Sequence, residues 1–139
     1  MRSELHQLEQ ETFDLRRQVA QTYHEAMRDS LTGLPNRRAF DERISQEYAR
    51  WKRFRETLAL LVLDVDDFKR VNDTFGHKSG DKALAMIAKL LGERVRETDF
   101  IARYGGEEFV VLLTGADRAD ALRIAEAMRL AVELSLIHI

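Results

Sequence analysis

Arg103-Tyr104-Gly105-Gly106-Glu107-Glu108-Phe109 is the stretch on which the fold turns. Before it, Phe100-Ile101-Ala102-Arg103-Tyr104 reads as a short strand. After it, Phe109-Val110-Val111-Leu112-Leu113 is an apolar, β-branched run, expected as a buried strand. Between the two, Gly105 and Gly106 are expected to supply the positive φ angles of a tight hairpin turn. Glu107 and Glu108 follow at once. Acids at a sheet's rim are cheap to solvate, so alone they describe a charged turn capping an edge. A second acidic strand end, upstream at Asp64, changes that reading.

That strand is Thr57 to Val65, dense in leucine and valine and expected to be central and buried on both faces. It ends in Asp64-Val65-Asp66-Asp67. Side chains alternate along a strand, so Asp64 and Asp66 share a face if the strand persists that far. Carboxylates at the end of an apolar strand are costly unless solvated, paired or bound to a cation. Asp66 or Asp67 is accounted for as the N-cap of a helix starting near Phe68. Asp64 lies inside the run and is not. One antiparallel sheet would carry Asp64 and Glu107-Glu108 to one rim.

The rest of the chain supplies the layers around that sheet. Residues 1 to about 28 contain no Gly or Pro and place Leu5, Leu8, Thr12, Leu15, Val19, Thr22 and Ala26 at heptad spacing. Such a helix either pairs two copies as a coiled-coil stalk, the reading the seam favours, or folds back on its own domain. Gly33 and Pro35 break it, and Asn36 is placed to cap a helix over Arg37–Arg55. In that helix Phe40, Ile44, Tyr48, Trp51 and Phe54 are expected in the core. A short helix, Phe68 to Phe75, closes on Gly76. A longer one opens at Ser79-Gly80-Asp81 and runs to about Val95, with Leu84, Ile87, Ala88 and Leu91 facing in. The last helix spans Ala116 to about Leu134, with Ala121, Leu122, Ile124, Ala125, Met128 and Val132 as its apolar set. The tail 135–139 carries no pattern.

Composition narrows the chemistry. There is no cysteine, which removes disulfides, thiolate metal sites and cysteine nucleophiles together. The formal net charge of −2 gives no basic surface for coating nucleic acid. No apolar run is long enough to span a bilayer, and the first residues lack a signal-peptide core, so a cytoplasmic location is expected. A small cluster of hard oxygen ligands suits magnesium or manganese. Lys69, in the first turn of its helix, is unfavourable against the helix dipole and is explained if it faces an anion. Together these describe a nucleoside triphosphate site for metal-assisted phosphoryl or nucleotidyl transfer. No Gly-x-x-x-x-Gly-Lys loop is present, so the site is not of the Walker type.

Here the sequence resembles a family. Gly105-Gly106-Glu107-Glu108-Phe109 is similar to the signature of the GGDEF diguanylate cyclases, in its GGEEF form. Asp29-x-Leu31-Thr32-Gly33-Leu34-Pro35-Asn36-Arg37 resembles that family's opening motif. Asp64-x-Asp66-x-Phe68-Lys69-x-x-Asn72-Asp73-x-x-Gly76-His77-x-x-Gly80-Asp81 resembles its second block. The resemblance covers about residues 27 to 134. It implies a palm-like or ferredoxin-like α/β fold, with a central antiparallel sheet flanked by helices and a stalk helix in front. It implies condensation of two GTP into cyclic di-GMP with release of pyrophosphate, one GTP per protomer of a homodimer, downstream of a sensor domain.

Roles follow by the same resemblance. Asp64, the Val65 carbonyl and Glu107 would hold the metal. Glu107 would also help deprotonate the attacking 3′-hydroxyl, and Glu108 would assist at the metal. Lys69 would stabilise charge developing on the phosphates. Asn72 and Asp81 would read the guanine edge, with Phe68, Gly105 and Gly106 as further substrate contacts. His77 reads as a helix-end contact. Arg96 and Asp99 resemble the family's inhibitory RxxD site for cyclic di-GMP, with Arg123 as a supporting arginine; the bland alternative is a surface i,i+3 ion pair. Family domains carry a further strand, then a helix with a lysine and an arginine that hold GTP phosphates. Nothing in this chain corresponds to them. The domain, 29–134, is therefore expected to be incomplete at its C-terminus, and the alternative to an enzyme is a module that dimerises and binds GTP or cyclic di-GMP without turnover. Adenylyl-cyclase-like chemistry, the remaining option, would be excluded by preference for GTP over ATP.

Overall fold

The structure is a computed structural model that describes residues 2–137. Its elements run α1 (Arg2–Ala26), α2 (Arg37–Phe54), β1 (Leu58–Asp64), α3 (Phe68–Phe75), α4 (His77–Gly92), β2 (Phe100–Arg103), β3 (Glu108–Thr114) and α5 (Arg118–Ile137). The strands form one antiparallel sheet in the order β1-β3-β2. The hairpin pairs Phe100 with Leu112 and Arg103 with Phe109. On the other side of β3, the ladder runs from Leu58 opposite Thr114 to Asp64 opposite Glu108.

The central strand is therefore β3, whose Phe109 to Leu113 are all buried, and not β1 as its composition suggests. One face of β1 (Ala59, Leu61 and Leu63) packs on the main core built from Leu84, Ile87, Ala88 and Leu91 of α4 and Ala121 and Met128 of α5. Burying each such large side chain contributes about 1.5–3 kcal/mol. The other sheet face carries a smaller cluster of Phe40, Ala102, Val110 and Leu112, covered by α2 only beside β2. Leu60 and Val62 lie beyond that cover and are exposed. An edge strand thus reads as apolar on both faces although only one is buried.

Asn36 caps α2 as expected, accepting from the Ala39 N–H at 3.0 Å. The helix then outruns the sheet. Phe40 is buried and Ile44 packs beside it, but Tyr48, Trp51 and Phe54 are exposed rather than core. Tyr48 and Trp51 stack at 6.0 Å and the Arg55 guanidinium covers the Trp51 ring at 4.6 Å, so the overhang is shielded by cations instead. In α5, Leu122 is likewise exposed.

Boundaries shift in physically simple ways. Gly76 ends α3 and directly precedes His77, so α4 starts two residues before Ser79; φ of 89° at Gly76 makes that junction possible. The strand β1 ends at Asp64, which leaves Asp66 in the following turn rather than on a shared strand face. Asp67 stands at the N-cap position of α3, but with φ 57° and no side-chain cap bond. The helix α5 continues to Ile137, past the expected end; His138 and Ile139 of the expected tail lie outside the described residues. No described helix is long and apolar enough to cross a membrane.

Candidate functional site

Strand pairing builds the site. Asp64 and Glu108 end β1 and β3 as direct ladder partners, so their side chains leave the same sheet face about 4.5–5.5 Å apart at Cβ. The Val65 N–H donates to the Glu107 carbonyl at 3.0 Å, fastening the end of β1 to the signature turn. Asp64, Glu107 and Glu108 have neither salt bridge nor side-chain hydrogen bond among the described residues. Like charges directly opposite each other in a ladder are destabilising. Two carboxylates and a carbonyl at an uncompensated acidic rim fit a hard divalent cation. The donor set is sparse: no group of three or more His, Cys, Asp or Glu side chains among the described residues forms a metal cage.

The turn itself corrects one expectation. Gly105 and Gly106 do not adopt positive φ. The loop closes instead through Tyr104 N–H to the Glu108 carbonyl at 2.8 Å, with Gly105 N–H on the same oxygen at 3.3 Å. At Gly105 a Cβ would stand 3.0 Å from Glu108 Oε2, a close approach that the tip of that exposed side chain would relieve by shifting. Gly106 has open space around it, and its carbonyl accepts from Arg103 Nη2 at 2.7 Å.

Lys69 lies in the first turn of α3, exposed and without an ion pair among the described residues. Phe68 is half-buried and packs on the main core. One helical turn on, Asn72 lies against Gly80 of α4, and Asp81 beside Gly80 is exposed. His77 is the first residue of α4.

Arg103 is a site residue that sequence reasoning passed over. Its Nη1 reaches Asp29 at 3.1 and 3.2 Å while its Nη2 holds the Gly106 carbonyl. Its own N–H donates to the Pro35 carbonyl at 2.9 Å. Asp29 also accepts from the Thr32 N–H and hydroxyl at 2.9 and 2.8 Å. One guanidinium thus ties the loop after α1 to the signature turn. The partners are 74 residues apart in the chain, and no local pattern signals such a pair. Arg103→Lys cannot reproduce both contacts, because a point-charge ammonium lacks the guanidinium's fork. It is expected to cost about 1–3 kcal/mol in urea unfolding and to slow any reaction at the turn. Unchanged stability and rate would mean that the fork is dispensable.

The family described as "Diguanylate cyclase, GGDEF domain" matches residues 26–139. The chain belongs to the GGDEF family. It is 51% identical over 113 residues to the diguanylate cyclase DgcP of Pseudomonas aeruginosa, a match that covers 81% of this chain and 17% of DgcP. It is 46% identical over 123 residues to the diguanylate cyclase TpbB of the same species, covering 88% of this chain and 28% of TpbB. The chain thus spans less than a third of either relative. The coiled coil and GGDEF domain of DgcB from Caulobacter crescentus, solved in complex with c-di-GMP, superposes with a TM-score of 0.86 at 32% identity. That match covers 91% of this chain and 66% of the DgcB chain.

Arg96 and Asp99 do form the expected i,i+3 ion pair, but with the Asp99 carboxylate in the interior instead of at the surface. Asp99 is buried. Its carboxylate accepts from the Arg96 N–H at 2.9 Å, Arg96 Nε at 3.1 Å, Arg96 Nη2 at 2.9 Å and the Thr114 N–H at 3.3 Å. Arg96 Nη2 also reaches the Thr114 carbonyl at 2.7 Å. The pair clasps the start of β2 to the end of β3. Arg123 pairs with Asp120 at 2.7 Å instead.

Burial pushes the Asp99 carboxyl up, but the hydrogen bonds from Arg96 and Thr114 and the Arg96 charge outweigh it and hold it below the usual carboxylate range. Asp29 is lowered in the same way, burial being overcome by Thr32 and Arg103. A depressed folded-state pKa stabilises the fold above the unfolded value of about 3.9, and that stability is lost as pH falls through the folded value. The melting temperature is therefore expected to hold from neutrality to mild acid and to fall below about pH 4. Asp99→Asn should melt lower at pH 7 and show a shallower acid limb. A variant with the parental acid limb would assign the transition to other groups.

Proposed function

We propose that this chain is the catalytic part of a diguanylate cyclase that condenses two GTP into cyclic di-GMP and two pyrophosphates. The observation that carries the reading is the convergence of Asp64, Val65 and Glu107-Glu108 on one acidic rim, in a GGDEF-family chain. Each protomer would hold one GTP, and two protomers would face each other. The 3′-hydroxyl of one GTP attacks the α-phosphorus of the other. The new O3′–P bond forms as the bond from that phosphorus to the leaving pyrophosphate breaks; the same event in the other direction closes the ring. Glu107 takes up the hydroxyl proton, with Glu108 beside it. Lys69 balances negative charge on the phosphate oxygens. Asn72 and Asp81 select guanine, while Phe68, Gly105 and Gly106 border the nucleotide. Asp64, the Val65 carbonyl and Glu107 would hold magnesium or manganese, which supplies Lewis-acid charge neutralisation when bound.

Dimerisation belongs to this reading. None of the described residues of α1 is buried, and Leu5, Leu8, Leu15 and Val19 form an exposed seam. Paired as a parallel stalk, two copies of α1 would transmit a signal from an upstream sensor domain. Arg96 would meet cyclic di-GMP as feedback inhibitor, since its side chain is about half exposed while Asp99 is already engaged. GTP supply places the reaction in the cytoplasm. The test is incubation of the chain, alone and extended by a family-length C-terminal segment, with GTP and magnesium, followed by mass spectrometry for cyclic di-GMP. Product from either supports the reading. GTP binding without product from both would make the domain a receptor.

A further inference from the structure

Where α3 meets α4, the Asn72 side chain occupies the space that a methyl group on Gly80 would need. A Cβ on Gly80 would fall 1.8 Å from Asn72 Oδ1, 2.9 Å from Asn72 Cγ and 3.2 Å from the Phe68 ring. The buried backbone of Gly80 is therefore the seat on which the Asn72 carboxamide rests. Asn72 Oδ1 is buried there without a hydrogen-bond partner. Among the described residues Nδ2 makes no hydrogen bond and is not one of the buried unpartnered atoms. The two ends of a carboxamide diverge, one accepting and one donating. With the acceptor pressed into the seat, the donor is the end left for a ligand.

We propose that Gly80 is a positioning residue for base selection, acting through Asn72; this rests on the GTP reading above. Its bare α-carbon fixes Asn72 with Nδ2 presented, and Asp81, the next residue, presents an acceptor. A donor beside an acceptor complements guanine, whose O6 accepts and whose N1–H and amino group donate. Adenine offers its amino group where guanine has O6, so donor would face donor. Such mismatched polar edges are the strongest source of discrimination available to a binding site.

The steric conflict also predicts how the site fails. The atom in the way is the tip of a side chain, not backbone, and it can swing aside. Gly80→Ala should therefore fold and lose selectivity rather than lose structure. We would titrate the full chain with magnesium and GTP or ATP analogues carrying a methylene bridge between the α- and β-phosphates, which bars pyrophosphate loss. The preference of Gly80→Ala for the guanine analogue should fall about 10- to 100-fold, with affinity for the adenine analogue within about twofold. In an Asn72→Ala background the same Gly80→Ala change should alter nothing further.

A Gly80→Ala chain with parental preference overturns the proposal, as does an equal further loss in the Asn72→Ala background. If Gly80→Ala fails to fold, circular dichroism of the double variant decides. Recovery of the fold assigns the clash to Asn72 and supports the seat; failure of both variants assigns it elsewhere and rejects it. A parental chain that binds both analogues equally, or neither, rejects the GTP reading itself, a result distinct from failure of the variants alone.

Discussion

On the proposed cyclase reading, Glu107→Gln will reduce cyclic di-GMP formation by at least about a thousandfold and leave the protein folded. The substitution keeps the shape of the side chain and removes both its charge and its capacity to take a proton. The structural contact at this residue is made by its backbone carbonyl, which accepts from Val65, and it survives. The side chain has no ion pair or hydrogen bond among the described residues, so its loss breaks nothing inside the chain. It also sits next to Glu108 and close to the end of β1, where Asp64 stands opposite Glu108. Removing one negative charge from that rim should raise the melting temperature slightly or leave it unchanged. Loss of product with preserved or higher stability separates a chemical role from a structural one. Retention of a tenth of the parental rate by mass spectrometry would remove Glu107 from the reaction.

The contrast between Glu107 and Arg103 shows which parts of the site a sequence can display. Glu107 stands in a turn between two apolar runs, and local pattern alone locates it. Asp64 is conspicuous because an acid inside an apolar strand requires an explanation. Asn36, Gly76 and the inward face of α4 obey local rules of capping and periodicity, so their places are legible too. Arg103 is different: its partners come from the loop after α1, and only the fold brings them together. The order of strands is hidden for the same reason. Leu60 and Val62 look like core residues, but their exposure depends on how far α2 extends across the sheet. Tyr48, Trp51 and Phe54 keep the periodicity of a buried face after the helix has run past the surface it could bury. Gly105 and Gly106 lie in the expected turn without the expected positive φ; a Cβ would crowd Glu108 at Gly105 and meet open space at Gly106.

On the proposed dimeric reading, Leu8→Glu combined with Leu15→Glu will convert the chain to a monomer and lower product formation at submicromolar protein by about a hundredfold. Neither side chain touches the acidic rim, since α1 contributes no residue to the site and both leucines are exposed. Heptad seams with an apolar β-branched residue such as Val19 at one position and leucine at the other favour two parallel strands; the threonines at 12 and 22 weaken the seam. Two copies would bury four leucines at these positions. At about 1.5–3 kcal/mol each, they contribute enough to decide association. A stalk that tethers two half-sites replaces free protein concentration with an effective concentration near the millimolar range. Without it, the reaction becomes second order in protein. Sedimentation should show the monomer, and the rate per chain should rise with protein concentration in the variant while staying flat in the parent. An unrelated parallel coiled coil of equal length in place of residues 2–26 should restore the rate. A variant whose rate per chain remains parental and independent of concentration would show that α1 does not assemble the reacting pair. The facing half-sites would then have to be held together by the globular domain itself.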